Sequence, residues 1–161
     1  MELFKQKIKP KEKTTLLAEK IKRNKNLIDE LINYYSTAPK SDKGTCIEAI
    51  EIVTKDNPEF IISHIEFIIE QLSNKLPRVK WESGRIVANI ASRYPSEAVK
   101  ALEKLLINTK DEGTVVRWST AFALTEIAKN NPETQKKLIA QFEKIIAKEE
   151  NKGVKKIYIK F

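Results

Sequence analysis

The sequence is poor in the residues that build metal sites, disulfide frameworks and histidine-dependent active sites. Among its 161 residues it has one cysteine, Cys46, and one histidine, His64. A single cysteine cannot form an internal disulfide or a cysteine-based structural zinc site, and a single histidine excludes every metal motif that needs two. Four glycines and six prolines are too few for a loop-rich β fold. We therefore expect no cofactor and no metal site.

Long apolar segments are missing as well. No run approaches the roughly 18 apolar residues that indicate a membrane span, and the basic segment 1–11 lacks the apolar core of a secretory signal. With 41% apolar and 32% charged residues, the chain has enough material for a hydrophobic core. We expect one folded domain over residues 1–161, located in the cytoplasm and away from membranes.

The formal net charge of +8 comes from the two ends of the chain. Residues 1–25 hold nine Lys or Arg against three Glu, and residues 144–161 hold six Lys against two Glu. The 118 residues between them hold 15 basic and 17 acidic side chains. A duplex-binding surface usually collects its cations on one face of the folded body. The balanced body weakens a nucleic-acid interpretation without excluding it, since the basic ends could meet in space.

A repeat of 37 residues organises the chain, and repeats of this length are typical of stacked helical units. Pro58, Pro95 and Pro132 recur at this interval, and so do Trp81 and Trp118. Apolar rows follow the same interval, for example Ile28, Ile65, Leu102 and Ile139. Each unit is predicted to contain two helices, and the units cover roughly residues 12–36, 40–74, 77–109 and 113–149.

The last unit shows the helical pattern most clearly. A helix from Val115 to Ala128 is predicted from the spacing of its apolar residues Val116, Ala123, Leu124 and Ile127. Trp118, Ala121 and Phe122 widen its apolar surface, so the helix is predicted to be buried on more than one side. The segment Asn131-Pro132-Glu133 predicts the start of the next helix, with Asn as its N-cap. Residues 150–161 are predicted to cap the end of the stack, with a short strand at Ile157 to Phe161 as the alternative.

This unit resembles the HEAT-repeat signature, an Asp followed by Val-Arg and by a helix with spaced Ala, Leu and Ile. The matching residues are Asp111, Val116-Arg117, Ala121, Ala123-Leu124 and Ile127-Ala128. Units two and three match less strictly, so the resemblance covers roughly residues 12–150. It implies an all-α, right-handed α-solenoid of about four HEAT-like helix pairs. In such a solenoid the first helices lie outside and the second helices line a concave face.

The resemblance also implies a ladder of polar contacts and a range of functions. In HEAT repeats the Asp and the Arg usually bond across neighbouring repeats. By match, Arg117 with Asp111, or Asp42 with Lys43, would form this ladder. HEAT arrays mostly act as scaffolds that bind proteins, some bind nucleic acid, and a small branch consists of alkylpurine DNA glycosylases. The fold alone does not choose among these functions.

The leading expectation is a non-catalytic binding module or scaffold that presents its concave groove to a protein partner. The second-helix face changes from neutral or acidic in the first two units to basic in the last two. This gradient favours a partner with an acidic patch over a long duplex, which needs cations along the whole groove. The predicted contacts with the protein partner are Phe67, Lys100, Lys104, Lys137 and Gln141.

Nucleic acid is the alternative partner, with Trp81, Arg85, Arg117 and Trp118 as contacts. A Trp beside a cation can stack on a base, whereas the identical register of Trp81 and Trp118 favours packing between repeats. Arg85 breaks the repeat pattern with a charge. Its simplest role is an exposed ion pair with Glu82, which stands three residues earlier on the same helix.

A DNA glycosylase is the enzymatic alternative, and it is the weaker one. Its chemistry needs an acid among aromatic residues of the groove. Only Glu82 beside Trp81 and Trp118 could supply this arrangement, and only if the first helices face the groove. His64 and Cys46 have apolar or small counterparts in the sister units, so both are interpreted as structural residues.

Overall fold

The computed structural model describes all 161 residues and contains helices but no strands. We label the α-helices in chain order as α1 (Pro10–Arg23), α2 (Leu27–Thr37), α3 (Lys40–Thr54), α4 (Ile65–Gln71), α5 (Pro77–Ile90), α6 (Pro95–Ala98), α7 (Leu102–Asn108), α8 (Thr114–Asn130), α9 (Pro132–Lys148) and α10 (Lys152–Ile159). Three short 3₁₀ segments lie at Glu2–Lys5, Pro58–His64 and Val99–Ala101. None of the helices has the length and hydropathy needed to span a membrane.

The helices follow one another as four pairs, as the 37-residue repeat predicts. The first pair is α1 with α2, and the fourth is α8 with α9. In the two middle pairs the second helix is broken by 3₁₀ turns: α4 follows Pro58–His64, and Val99–Ala101 separates α6 from α7. The chain is therefore an all-α repeat solenoid, which confirms the predicted fold class. We call α1, α3, α5, α8 and α10 the first layer.

Proline marks the beginning of several helices. It stands in the first turn of α1, α5, α6 and α9, where its missing N–H group needs no helical partner. Asn131 occupies the predicted N-cap of α9, but its side chain does not cap that helix. Its Nδ2 donates instead to the backbone oxygens of Ile127 and Pro95, at 3.3 and 3.2 Å. Asn131 therefore links the end of α8 to the start of α6 in the previous pair.

The helices of the first layer pack directly against one another in series, from α1 through α3, α5 and α8 to α10. The second helices contact this layer but make no comparable contact with one another. Small residues permit the close approach: a Cβ added at Gly84 on α5 would lie 2.5 Å from Oγ of Ser119 on α8. Gly44 on α3 likewise lies against the side chain of Arg78 on α5.

The unequal spacing of the two layers indicates which side of the stack is concave. In a curved two-layer stack the more closely spaced layer lies on the inside of the curve, so the first layer forms the inner side here. The HEAT resemblance implied the opposite arrangement, with the second helices on the concave face, and that expectation is wrong. It fails because the small residues that permit close approach are on the first helices.

The predicted core of α8 is confirmed. Val116, Ala123, Leu124 and Ile127 are each at most 1% exposed. Cys46 on α3 is fully buried, as predicted, and burial raises the pKa of its thiol to about 12. A thiol that stays protonated at neutral pH is a poor nucleophile, so Cys46 acts as a small apolar residue of the core.

The tail of the chain folds as α10, and the alternative prediction of a strand is wrong. Asn151 begins the helix, because its Oδ1 accepts a hydrogen bond from the Val154 amide at 3.0 Å. Tyr158 is buried, with its ring 5.1 Å from that of Phe142 on α9. The Phe161 ring lies 5.5 Å from the same Phe142 ring. These contacts fix α10 against α8 and α9 at the end of the stack.

Candidate functional site

A ladder of ion pairs crosses from one repeat to the next at the loops between units. Nζ of Lys80 lies 2.6 Å from Oδ2 of Asp111. One repeat later, Nε of Arg117 lies 2.9 Å from Oε2 of Glu149. The predicted pairing of Arg117 with the Asp111 carboxylate is therefore wrong, although Nη1 of Arg117 donates to the Asp111 backbone oxygen at 2.9 Å. Each basic residue reaches forward to an acid of the following loop, which is already bonded to the backbone there.

The carboxylates of this ladder are held in their charged form. Burial alone would raise the pKa values of Asp111 and Glu149. Hydrogen bonds and charges from Lys80 and Arg117, together with backbone N–H groups, outweigh the burial and bring both pKa values below their usual range. Arg117, one of the predicted nucleic-acid contacts, is therefore committed to a structural ion pair.

The other predicted ladder pair, Asp42 with Lys43, does not form. Oδ2 of Asp42 accepts a hydrogen bond from the Tyr34 hydroxyl at 2.6 Å. Nζ of Lys43 lies 5.0 Å from the centre of the Tyr35 ring, a cation–π contact. Tyr35 donates in turn to Oε1 of Gln71 at 2.7 Å. In this unit, aromatic and amide groups therefore replace the ion pair, because the unit has no acid that corresponds to Asp111.

Arg85 and Glu82 do not form the predicted exposed pair. Nη2 of Arg85 lies 3.1 Å from Oε1 of Glu51 on α3, whose side chain is 3% exposed. Glu82 is itself buried, and its Oε1 accepts a hydrogen bond from Nε1 of Trp81 at 2.7 Å. Burial is the main reason that the pKa of Glu82 is raised, and the indole bond and Arg85 only partly oppose it. Both acids lie at the tight contact between α3 and α5.

The burial of Glu82 is relevant to the DNA glycosylase alternative. Oε2 of Glu82 is buried without a hydrogen-bond partner, while Trp81 is half-buried and Trp118 is 41% exposed. The acid points into the helix contact and the second tryptophan faces outward. The three residues therefore do not form an open aromatic pocket around an accessible carboxylate. No cluster of three or more His, Cys, Asp or Glu side chains could hold a metal ion either.

The two tryptophans share a register but not an environment. Trp81 is half-buried, and its indole N–H is anchored on the neighbouring Glu82 of the same helix. The prediction that the tryptophans pack between repeats is wrong for Trp118, which lies on the open face of α8. In α8 the residue that follows the tryptophan is Ser119, and its hydroxyl donates to the Trp81 backbone oxygen at 2.6 Å. Ser119 is used in the α5–α8 contact, so α8 has no counterpart of the acid that anchors Trp81.

Trp118 belongs to an exposed apolar patch on the first layer. Its ring stacks on that of Phe122, with centroids 5.9 Å apart and planes 13° apart. Val115, one turn earlier on α8, is 50% exposed. Ile159 is 62% exposed and stands on α10 at the register of Phe122, 37 residues later. We call Val115, Trp118, Phe122 and Ile159 the aromatic patch.

The aromatic patch stands out from the rest of the surface. Only two other large apolar side chains, Ile107 and Ile139, are comparably exposed. Clustered exposed apolar residues mark interaction surfaces more often than single ones do, and Trp is enriched at binding hot spots. The sequence contained a signal for the patch, the spacing of Trp118 and Phe122 by four residues. The sequence predicts a second buried side of α8 from these residues, and that prediction is wrong because Trp118 and Phe122 face solvent.

The side chains predicted to contact a protein partner are accessible to different degrees. Lys137 and Lys100 are exposed, whereas Lys104 and Gln141 are half-buried. Nζ of Lys100 pairs with the carboxylates of Glu97 and Glu66, at 2.7 and 3.5 Å. Phe67 is half-buried, with its ring edge-on to that of Tyr35 at 5.1 Å. The structure therefore spreads these five residues over second helices that barely contact one another.

A cleft of about 590 Å³ opens between α7 and α9, where the second helices separate. Leu106 and Ile145 are its apolar lining residues, and its polar lining includes Gln141, Lys144 and Lys148. The ladder pair Arg117 and Glu149 forms one wall. Cations and acids alternate around this cleft, so its charge favours no particular ligand.

His64 is a structural residue, as predicted. It ends the 3₁₀ segment Pro58–His64, and its side chain is 30% exposed. Its Nε2 lies 2.6 Å from Oδ1 of Asp29 on α2. The contact joins the second helices of the first two units, and no hydroxyl or thiol nucleophile is bonded to the ring.

Comparison with known proteins supports the fold and leaves the function open. No protein-family model matches the chain, and no curated protein matches it. Among solved structures, the chain is similar to a designed armadillo repeat protein, YIII(Dq)4CqI, with a TM-score of 0.65 and 22% sequence identity. The match covers 80% of this chain and 60% of the designed protein. At this identity the likeness shows the fold alone: an α-helical repeat solenoid of the HEAT or armadillo kind.

Proposed function

We propose that the protein is a non-catalytic binding module that holds a protein partner on the open face of its first layer. The observation that carries this proposal is the aromatic patch, in which Trp118 and Phe122 stack on each other and remain open to solvent. A flat, rigid aromatic surface loses little conformational entropy on binding and removes a large apolar area from water. Repeat solenoids are, in addition, typically protein-binding scaffolds.

The polar surroundings of the patch support a protein rather than a nucleic acid. Of the four predicted nucleic-acid contacts, Arg85 and Arg117 are paired with Glu51 and Glu149. The Trp81 indole is hydrogen-bonded to Glu82. Only Trp118 is free to stack, and a single stacking residue offers a single strand few of the base contacts that such binding uses.

The second-helix contacts stay a separate prediction. Lys137 is exposed and has no ion-pair partner, so it is available to a partner that docks on α9. Lys100 already neutralises Glu97 and Glu66, and releasing it would expose two carboxylates to an acidic partner. We therefore place the main contact surface on the first layer.

The proposal is tested by affinity capture with matched variants. Immobilised wild-type protein and a variant with Trp118→Ser and Phe122→Ser are incubated with a lysate of the source cells, and retained proteins are identified by mass spectrometry. We expect at least one protein that the wild type retains stoichiometrically and the variant loses.

The control removes the same kind of side chain elsewhere. Ile107→Ser with Ile139→Ser deletes two exposed apolar residues outside the aromatic patch, and this variant should retain the partner. Circular dichroism confirms that all proteins are folded. Equal retention by the wild type and the Trp118 and Phe122 variant would contradict the proposal.

A further inference from the structure

The last helix of the first layer places a group of free cations beside the aromatic patch. Lys152, Lys155 and Lys156 lie on α10, and none of them has an ion-pair or hydrogen-bond partner. Lys152 stands at the register of Val115 and Lys155 at that of Trp118, in each case 37 residues later. Because α10 packs against α8, these lysines lie on the helix next to the one that carries Trp118 and Phe122.

The cations on the two preceding helices of this layer, α5 and α8, are paired with acids. Arg78 on α5 pairs with Glu48, and Arg85 pairs with Glu51. On α8, Arg117 pairs with Glu149 and Lys129 pairs with Glu126. The unpaired lysines of α10 therefore differ from the paired cations of α5 and α8, and the unpaired Lys11 and Lys20 of α1 lie at the opposite end of the stack.

We propose that the aromatic patch and these three lysines form one docking site for an acidic segment of a partner protein. An aromatic or aliphatic side chain of the segment covers Trp118 and Phe122. Neighbouring Asp or Glu side chains of the segment meet the lysines of α10. The inference rests on the proposed function and adds the chemistry of the partner to it.

Apolar burial and electrostatic attraction make different contributions to binding at this site. Removal of the indole and phenyl surfaces from water provides most of the affinity. Exposed lysines provide less affinity, but they select the sign of the partner's charge and speed its approach. The carboxylates of Glu48 and Glu51 line the same layer and are already paired. Arg78 and Arg85 are therefore not free to bind a phosphate backbone that continues along the layer, which disfavours a nucleic acid.

A random library of 12-residue peptides displayed on phage tests the inference. Selection is on wild-type protein, with prior removal of phage that bind the Trp118→Ser and Phe122→Ser variant. We expect enriched peptides to combine an aromatic or aliphatic residue with an excess of Asp and Glu. Enrichment of neutral or basic peptides, or no enrichment, would overturn the inference.

Charge variants then examine the best synthetic peptide by fluorescence anisotropy. Neutralising Lys152, Lys155 and Lys156 to Gln should weaken binding about tenfold at low salt and reduce the salt dependence of the affinity. The matched control neutralises three unpaired lysines of α9, namely Lys136, Lys144 and Lys148, and should change the affinity less than twofold. An equal effect of the two triple variants would overturn the assignment to α10.

The same titration separates the remaining outcomes. A labelled 12-nucleotide single strand should bind more weakly than the peptide, and tighter binding that depends on Trp118 would replace the protein partner by a nucleic acid. If affinity capture shows a partner that depends on Trp118 while selection yields no acidic peptides, the proposed function stands and only the inference on charge fails.

Discussion

The guanidinium of Arg117 on α8 pairs with the carboxylate of Glu149, which stands just before α10, through two contacts of 2.9 and 3.3 Å. Glu149 also accepts a hydrogen bond from the Asn151 backbone amide at 2.8 Å. One carboxylate therefore joins α8 to the residue at which α10 begins. Since α10 carries the lysines of the proposed docking site, this pair positions the end of the binding surface.

Removal of the guanidinium should loosen this junction. In Arg117→Ala, the Glu149 carboxylate is left buried without its cation, and we expect the free energy of unfolding to fall by about 2 kcal/mol. Urea unfolding followed by circular dichroism measures the change. As a control, Lys100→Ala removes an exposed cation with two acidic partners and should lower the free energy of unfolding much less, because solvent screens exposed ion pairs. Equal losses in the two variants would contradict a structural role of the Arg117 pair.

The buried carboxylate of Glu82 should make stability depend on pH. Its pKa in the folded protein is raised from 4.5, chiefly by burial, so folding disfavours the charged form. The resulting penalty is absent below the pKa of the unfolded state and complete above that of the folded state. As pH rises from about 4.5 towards 7, wild type should therefore lose stability relative to Glu82→Gln.

Urea unfolding of both proteins at several pH values between 4 and 8 tests this expectation. The difference in free energy of unfolding should shift in favour of Glu82→Gln with rising pH and then level off. A difference that stays constant over this range would show that the Glu82 carboxylate titrates alike in the folded and unfolded states.

Close packing of α5 on α8 should appear as an energetic coupling between Gly84 and Ser119. Gly84→Ala gains roughly 1 kcal/mol of helix propensity, but its Cβ would lie 2.5 Å from the Ser119 Oγ. We expect the single change to be destabilising, because the serine must move and lose its bond to the Trp81 backbone oxygen. In a Ser119→Ala background the same change should be better tolerated by about 1 kcal/mol or more. Additive effects in this double-mutant cycle would contradict the contact.

The aromatic patch should contribute little to folding. Trp118 and Phe122 are partly exposed and stack on each other rather than on the core. Replacing both by Ser should therefore lower the free energy of unfolding by less than about 2 kcal/mol, well below the loss typical of buried aromatic residues. Thermal unfolding measures the change, and a loss of 4 kcal/mol or more would mean that the pair holds the fold together.

The sequence predicted the helix pairs and the core because both follow from periodicity. A 37-residue interval and helical spacing place Val116 and Ile127 in the interior without knowledge of neighbouring repeats. The partners of the charged residues depend on how far one repeat is shifted against the next. Arg85 reaches Glu51, 34 residues earlier, and this shift is set by small residues at the helix contacts.

The binding surface was harder to predict for a related reason. Trp81 and Trp118 have the same register, and repeat logic gives them the same environment. The difference lies in the following residue, Glu82 in one case and Ser119 in the other. That residue decides whether the indole has a buried acceptor. A prediction from the repeat pattern assigns equivalent residues the same environment and misses such single differences. These differences determine which surface stays free for a partner.

The most direct test of the account is the fluorescence of Trp118 in the complex. Trp81→Phe leaves Trp118 as the only tryptophan, and its emission is recorded while a partner recovered by affinity capture is added. If the aromatic patch is the contact surface, water leaves the indole and the emission moves to shorter wavelength as the complex forms. If the complex forms, as measured by sedimentation, while the emission of Trp118 stays unchanged, the partner binds elsewhere and the account is contradicted.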